Sequence, residues 1–125
     1  MPSLSFPKVG QITGNLPHLH LIAGALVTAA SPTRLKGKGF TVSKTSTGVF
    51  RVTFNQKVPY VISALGTLRQ AAGAANFLKG PVTSDSNNYV EFRVENASGA
   101  ATDPGTSDVI DFAIWVTKTK LSVVL

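Results

Sequence analysis

Apolar and polar residues alternate one by one through the middle of this chain, the two-residue beat of half-buried β-strands. The beat is cleanest from Gly39 to Phe54. Phe40 and Val42 fall to one side, with Thr41 and Ser43 on the other. Thr45-Ser46-Thr47-Gly48 reads as a tight turn, with Gly48 free to take a positive φ. Phe50, Val52 and Phe54 then alternate with Arg51, Thr53 and Asn55. The segment predicts a β-hairpin.

The same pattern recurs on both sides. His18 to Thr28 reads as a strand with Leu19, Leu21 and Ala23 on one face and His18, His20, Ile22 and Gly24 on the other. Gly24 marks a bulge or a close backbone approach. Val61 to Leu68 is almost continuously apolar, which predicts a strand covered on both faces. Phe77 to Thr83 is a short strand whose Pro81 assigns it to an edge or an irregular position. Tyr89 to Glu95 points Val90, Phe92 and Val94 inward and Tyr89, Glu91, Arg93 and Glu95 outward. The last strand, Asp108 to Thr119, places Ile110, Phe112, Ile114 and Val116 together; Trp115 lies opposite them with Asp111, Ala113 and Thr117. Ser31-Pro32-Thr33, Lys36-Gly37-Lys38-Gly39, Gln70–Asn76, Ser84–Asn88 and Asn96–Ser107 read as turns and loops. Six to eight short strands with no convincing long helix predict an all-β protein. The expected architecture is an antiparallel β-sandwich, with the jelly roll as one form of it.

Residues 1–18 break the pattern. Pro2, Pro7, Pro17, Gly10 and Gly14 interrupt any regular element, yet Leu4, Phe6, Val9, Ile12 and Leu16 are apolar and need cover. The reading is an extended N-terminal arm (1–18) ahead of a single domain (19–125). The arm either docks on a neighbouring subunit or returns to its own domain as an edge strand. Leu121, Val123, Val124 and Leu125 keep the C-terminus apolar to the end, which implies that it too is tied down.

Composition narrows the class. The chain has 125 residues, 43% of them hydrophobic, and no cysteine. It is long enough for one domain with a core, and it can form neither a disulfide framework nor a thiolate metal site. No secretory signal pattern is visible and no apolar run is long enough to span a bilayer. The net charge of +6 is unevenly spread. Every acid follows residue 84, whereas nine bases and no acid precede it. Those bases stand singly, apart from Arg34, Lys36 and Lys38. They read as solvated positions, or as one end of a subunit that meets an acidic protein surface, and not as a specific nucleic-acid site.

Chemistry is sparse. His18 and His20 share a strand face but have no third ligand nearby. Lys36-Gly37-Lys38-Gly39 lacks the spacing of a phosphate loop. Asp103, Asp108 and Asp111 lack a calcium-loop pattern, and Asp103-Pro104-Gly105 is explained as turn chemistry. Asn96-Ala97-Ser98 is a chance match to a glycosylation sequon. With no nucleophile–base or acid–base constellation, the expectation is a protein that is not an enzyme and holds no cofactor or metal. Trp115, on the polar side of its strand, reads either as an interface anchor or as a side chain covered by a loop of its own subunit.

The hairpin also resembles structural β-sandwich proteins of tailed bacteriophages. The similar positions are Gly39, Phe40, Val42, Gly48, Val49, Phe50, Val52, Phe54 and Pro59, followed by Tyr60, Val61 and Ile62. Phe92, Val94, Asn96, Ser98-Gly99, Thr102-Asp103-Pro104, Ile110, Phe112 and Ile114 continue the likeness, which covers about residues 23–117. These are core and turn positions and specify fold better than role. The resemblance implies a virion structural protein, foremost a capsid decoration (cement) protein or head fibre. Such a protein would be assembled in the bacterial cytoplasm and bound as a trimer to the outer shell of the major capsid protein. The contact candidates on that reading are Leu4, Phe6, Lys8, Val9, Ile12, Arg34, Lys36, Lys38, Trp115, Val123 and Leu125. The alternative is a carbohydrate- or receptor-binding module of a tail fibre or spike, with Trp115, Tyr89 and Tyr60 as sugar platforms, or another tail structural component.

Overall fold

The computed structural model describes residues 19–57, 60–70, 76–84 and 88–117. The arm, the C-terminal residues 118–125 and the middle of the Gln70–Asn76 segment lie outside the described residues. So do the contact candidates Leu4, Phe6, Lys8, Val9, Ile12, Val123 and Leu125.

Eight strands form: β1 (Leu19–Val27), β2 (Thr33–Gly37), β3 (Phe40–Ser46), β4 (Val49–Phe54), β5 (Tyr60–Arg69), β6 (Phe77–Ser84), β7 (Tyr89–Glu95) and β8 (Val109–Thr117). They make two four-stranded sheets, ordered β2-β1-β8-β5 (sheet I) and β3-β4-β7-β6 (sheet II). All pairings are antiparallel. The protein is an all-β antiparallel sandwich, as the alternation predicts.

The core lies between the sheets. Sheet II contributes Phe40, Phe50, Val52, Phe54, Val90, Phe92 and Val94; sheet I contributes Leu26, Ile110, Phe112, Ile114 and Val116, all of them buried. Phe112 sits at the centre. Its cross-strand neighbours are both glycines, Gly24 in β1 and Gly66 in β5. The space those glycines leave is filled from the facing sheet. A Cβ on Gly24 would stand 2.7 Å from the Phe40 ring, and one on Gly66 would stand 2.6 Å from the Phe92 ring. Phe40 meets Phe112 edge-on with ring centroids 5.0 Å apart, and Phe92 stacks on it at 5.7 Å. The close backbone approach expected at Gly24 is therefore present, and Gly66 repeats it on the other side.

The long loop after β7 is fixed to the β3–β4 turn. Gly48, at φ +70°, donates its N–H to Asp103 Oδ1 at 2.7 Å, and Lys44 reaches the same oxygen at 3.3 Å. Val94 N–H donates to Gly48 O, and Thr102 N–H to Val94 O. Thr28 Oγ1 donates to the Gly105 carbonyl at 2.8 Å, closing the far end.

Two expectations are corrected. Arg34–Lys38 was read as part of a loop, but Thr33–Gly37 is a strand at the edge of sheet I, with every residue exposed. Its short length and single apolar side chain, Leu35, hide the strand pattern. The apolar run in β5 was read as covered on both faces. It is instead an edge strand with one open side, where Leu65 is 67% exposed. Its bulge at Ile62, between Val61 and Ser63, sets that residue outside as well, at 50% exposure. β6 is the irregular edge that Pro81 implies, with its register shifted between Lys79 and Val82.

Two substitutions test this packing. Gly66→Ala forces the Phe92 ring to move and is expected to cost about 1–3 kcal/mol, measured by denaturant unfolding. Among the described residues, the buried Thr117 hydroxyl has no hydrogen-bond partner. Thr117→Val removes that unpaired group and is expected to raise stability by about 1 kcal/mol in the same assay.

Candidate interaction surface

The two outer faces of the sandwich differ in chemistry. On sheet II the outward side chains form ion pairs across strands. Arg51 in β4 holds Glu91 in β7 through two hydrogen bonds to Oε2, of 3.0 Å from Nε and 2.8 Å from Nη2. Arg93 approaches the other Glu91 oxygen at 3.8 Å, and Lys79 approaches Glu95 at 3.6 Å. The Arg51 guanidinium also lies 3.8 Å from the centroid of the Tyr89 ring. Glu91 is only 8% exposed, so this group is more enclosed than the solvated face the sequence implies. Low exposure raises the cost of leaving its carboxylate without a partner.

On sheet I the outward positions are apolar. Strand register lines them up in rows: Leu21, Trp115 and Ser63, then Ala23, Ala113 and Leu65. Leu21 is 49% exposed and Trp115 38%. On β5, Ile62 is 50% exposed and Leu65 67%. Exposed apolar side chains gathered on one sheet face make that face the candidate interaction surface. At one end that face is bounded by Arg69, which pairs bidentately with Asp111 at 2.5 and 3.2 Å. The hydrogen bond to Asp111, and after it the carboxylate's charge, raise the Arg69 pKa above its ordinary value.

A third feature is the basic edge. Arg34, Lys36 and Lys38 are all exposed at β2 and its exit. Arg34 leans over the rim of the core, 5.8 Å from the Phe40 ring centroid. Lys38 stands at the mouth of a cavity of about 460 Å³ at one end of the sandwich, whose walls include His20, Ile22, Phe54 and Val116.

The described contact candidates thus occupy two neighbouring places: Trp115 on the sheet I face, and Arg34, Lys36 and Lys38 at that sheet's edge. The sugar-platform set is not assembled. Trp115 and Tyr89 lie on different sheets, and Tyr89 is capped by Arg51. Tyr60 pairs through its backbone with Thr117, and its side chain lies outside the described residues. The aspartates are also separated, with Asp103 on Lys44 and Asp111 on Arg69. Among the described residues, no three His, Cys, Asp or Glu side chains come together as a metal site. Sequence reasoning missed Leu21, Ile62 and Leu65 as surface residues. The signal for Leu21 was its position on the same strand face as Ala23 and opposite Ile22. For β5 there was none, because a continuous apolar run does not reveal which side is open.

Compared with protein-family models, with curated proteins and with solved structures, the chain matches none.

The contrast between the faces is measurable by thermal or denaturant unfolding. Leu65→Ser should change stability by less than about 0.5 kcal/mol, as for an exposed side chain. Phe92→Ala in the core should cost about 3–5 kcal/mol. Arg51→Ala falls between, at about 1–2 kcal/mol, because Glu91 loses its bidentate partner.

Proposed function

We propose that this protein is a structural subunit of a tailed-phage particle, a decoration protein that binds the outer shell of the major capsid protein and stabilises the head. The observation that carries an assembly role is the apolar outer face of sheet I, built from Leu21, Ile62, Leu65 and Trp115 on a rigid sheet. A ligand site for small-molecule chemistry would be concave, with convergent polar groups. This surface is shallow and apolar, which suits a protein partner. Beside it, Arg34, Lys36 and Lys38 offer a basic edge to an acidic shell surface, where rim charges act on encounter rate and register. The phage assignment itself rests on the resemblance of the Gly39–Phe54 hairpin and the strands after it. Trimeric association on the shell belongs to the same proposal. The mechanism is mechanical: area buried between this domain and neighbouring capsid subunits slows shell opening.

The test is cosedimentation of the purified protein with phage heads lacking it, together with its copy number in complete particles. Hundreds of copies on the head are expected, whereas a few copies confined to the tail would refute the decoration role. Trp115→Ala combined with Leu65→Ser should weaken head binding by about 30-fold or more, as for loss of a central aromatic anchor.

A further inference from the structure

Sheet I runs further than sheet II at one end of the sandwich. Phe112 of β8 meets Phe40, the first residue of β3, and β8 continues from there through Ile114 and Val116. Phe54, paired with Phe40, is the last residue of β4. A step is left beyond these two phenylalanines, and the cavity of about 460 Å³ occupies it. Its floor is Ile22, Phe54 and Val116, and its rim is the polar set His20, Lys38, Asn55 and Gln56. Backbone and side-chain hydrogen bonds hold that rim in place. Asn55 N–H donates to Gly39 O at 3.0 Å. Asn88 Nδ2 donates to the carbonyls of Phe54 at 3.1 Å and Gln56 at 3.0 Å. Ligand pockets have a volume of about 300–1,000 Å³, an apolar floor and a few convergent polar groups. This cavity has all three.

The charge at the mouth selects an anion. The chain has six acids. Glu91 pairs with Arg51 and Arg93, Glu95 with Lys79, Asp103 with Lys44, and Asp111 with Arg69. Asp108 is buried and accepts from Gly105 N–H. Asp85 lies outside the described residues. None of these ion pairs includes Lys38, or Arg34 and Lys36 in the strand before it.

We propose that the cavity binds a carboxylate attached to an apolar body of phenyl or branched-aliphatic size. This goes beyond the assembly role and does not depend on it. The apolar body leaves water and rests on Ile22, Phe54 and Val116. The carboxylate stays at the mouth, where the Lys38 ammonium meets it and the side-chain amides of Asn55 and Gln56 offer further donors. A phosphate suits the site less well. Its charge is costlier to bring over an apolar floor, and the lining supplies one ammonium where phosphate sites use a guanidinium fork or several backbone N–H groups.

The test is an NMR titration of the full chain with phenylacetate. Saturable binding is expected with a Kd of about 1 mM or tighter. It should move the amide signals of Ile22, Gly39, Asn55 and Gln56 and leave those of Lys79 and Arg93 on sheet II in place. Phenylacetamide keeps the ring and loses the charge, whereas acetate keeps the charge and loses the ring. Each should bind at least about tenfold more weakly. Lys38 is exposed, so Lys38→Gln leaves the fold intact, and it should weaken phenylacetate binding about fivefold. Lys36→Gln, in the strand before it, should change binding by less than about twofold. A short peptide ending in phenylalanine with a free C-terminal carboxylate separates the sources of this chemistry. Tighter binding than phenylacetate assigns the site to a protein terminus, weaker binding to a small free acid, and either supports the site. No saturation, equal binding of the acid and its amide, indifference to Lys38→Gln, or shifts centred on sheet II would each overturn the proposal.

Discussion

The sandwich depends on one contact, Phe112 seated between two glycines. With Gly24 and Gly66 directly opposite it on either side, the Phe112 ring has no cross-strand side chain beside it, and the rings of Phe40 and Phe92 enter from the other sheet to fill the gaps. The three aromatics therefore set how closely the sheets approach and how β3 and β7 align over β1, β8 and β5. The inward neighbours Ile110 and Ile114 on β8 pack around that arrangement. Aromatic pairs at these separations add a modest energy to the area they bury, and their larger effect is geometric.

Much of this was legible in the residues, and the reason is the period of a strand. Where one face is buried and the other wet, as in β3, β4, β7 and β8, alternation reveals both the element and its orientation. Phe40, Phe50, Phe92 and Phe112 were all oriented correctly on that basis alone. Legibility failed where the two faces have similar chemistry. β2 is exposed throughout, so no side of it differs from the other. β5 is apolar on both sides, so its open face could not be told from its buried one. The bulge at Ile62 complicates it further, because a single extra residue reverses the alternation. The candidate surface was missed for the same reason: only Trp115 stood out, since tryptophan on a polar strand face is conspicuous and leucine on an apolar strand is not.

The difference between the two outer faces follows from where charge sits in the sequence. Acids occur only late in the chain, so the strand that carries Glu91 and Glu95 can satisfy bases from β4 and β6 beside it. Sheet II thereby gains a cross-linked polar exterior. Sheet I draws most of its outward positions from segments without acids, and its one acid, Asp111, is taken by Arg69 at the margin. What remains in the middle is leucine, alanine and tryptophan. That composition is the physical ground on which the proposed assembly role rests.

That face also gives the molecule an optical asymmetry. The chain contains a single tryptophan, and it lies on the outside of sheet I while the core aromatics among the described residues are phenylalanines. Indole emission from this protein therefore says little about the state of its interior. It reports the polarity at the outer surface of one sheet, so contact with another molecule at that face would register as a shift in colour. The chromophore that most proteins bury as a sensor of folding here serves as a sensor of company.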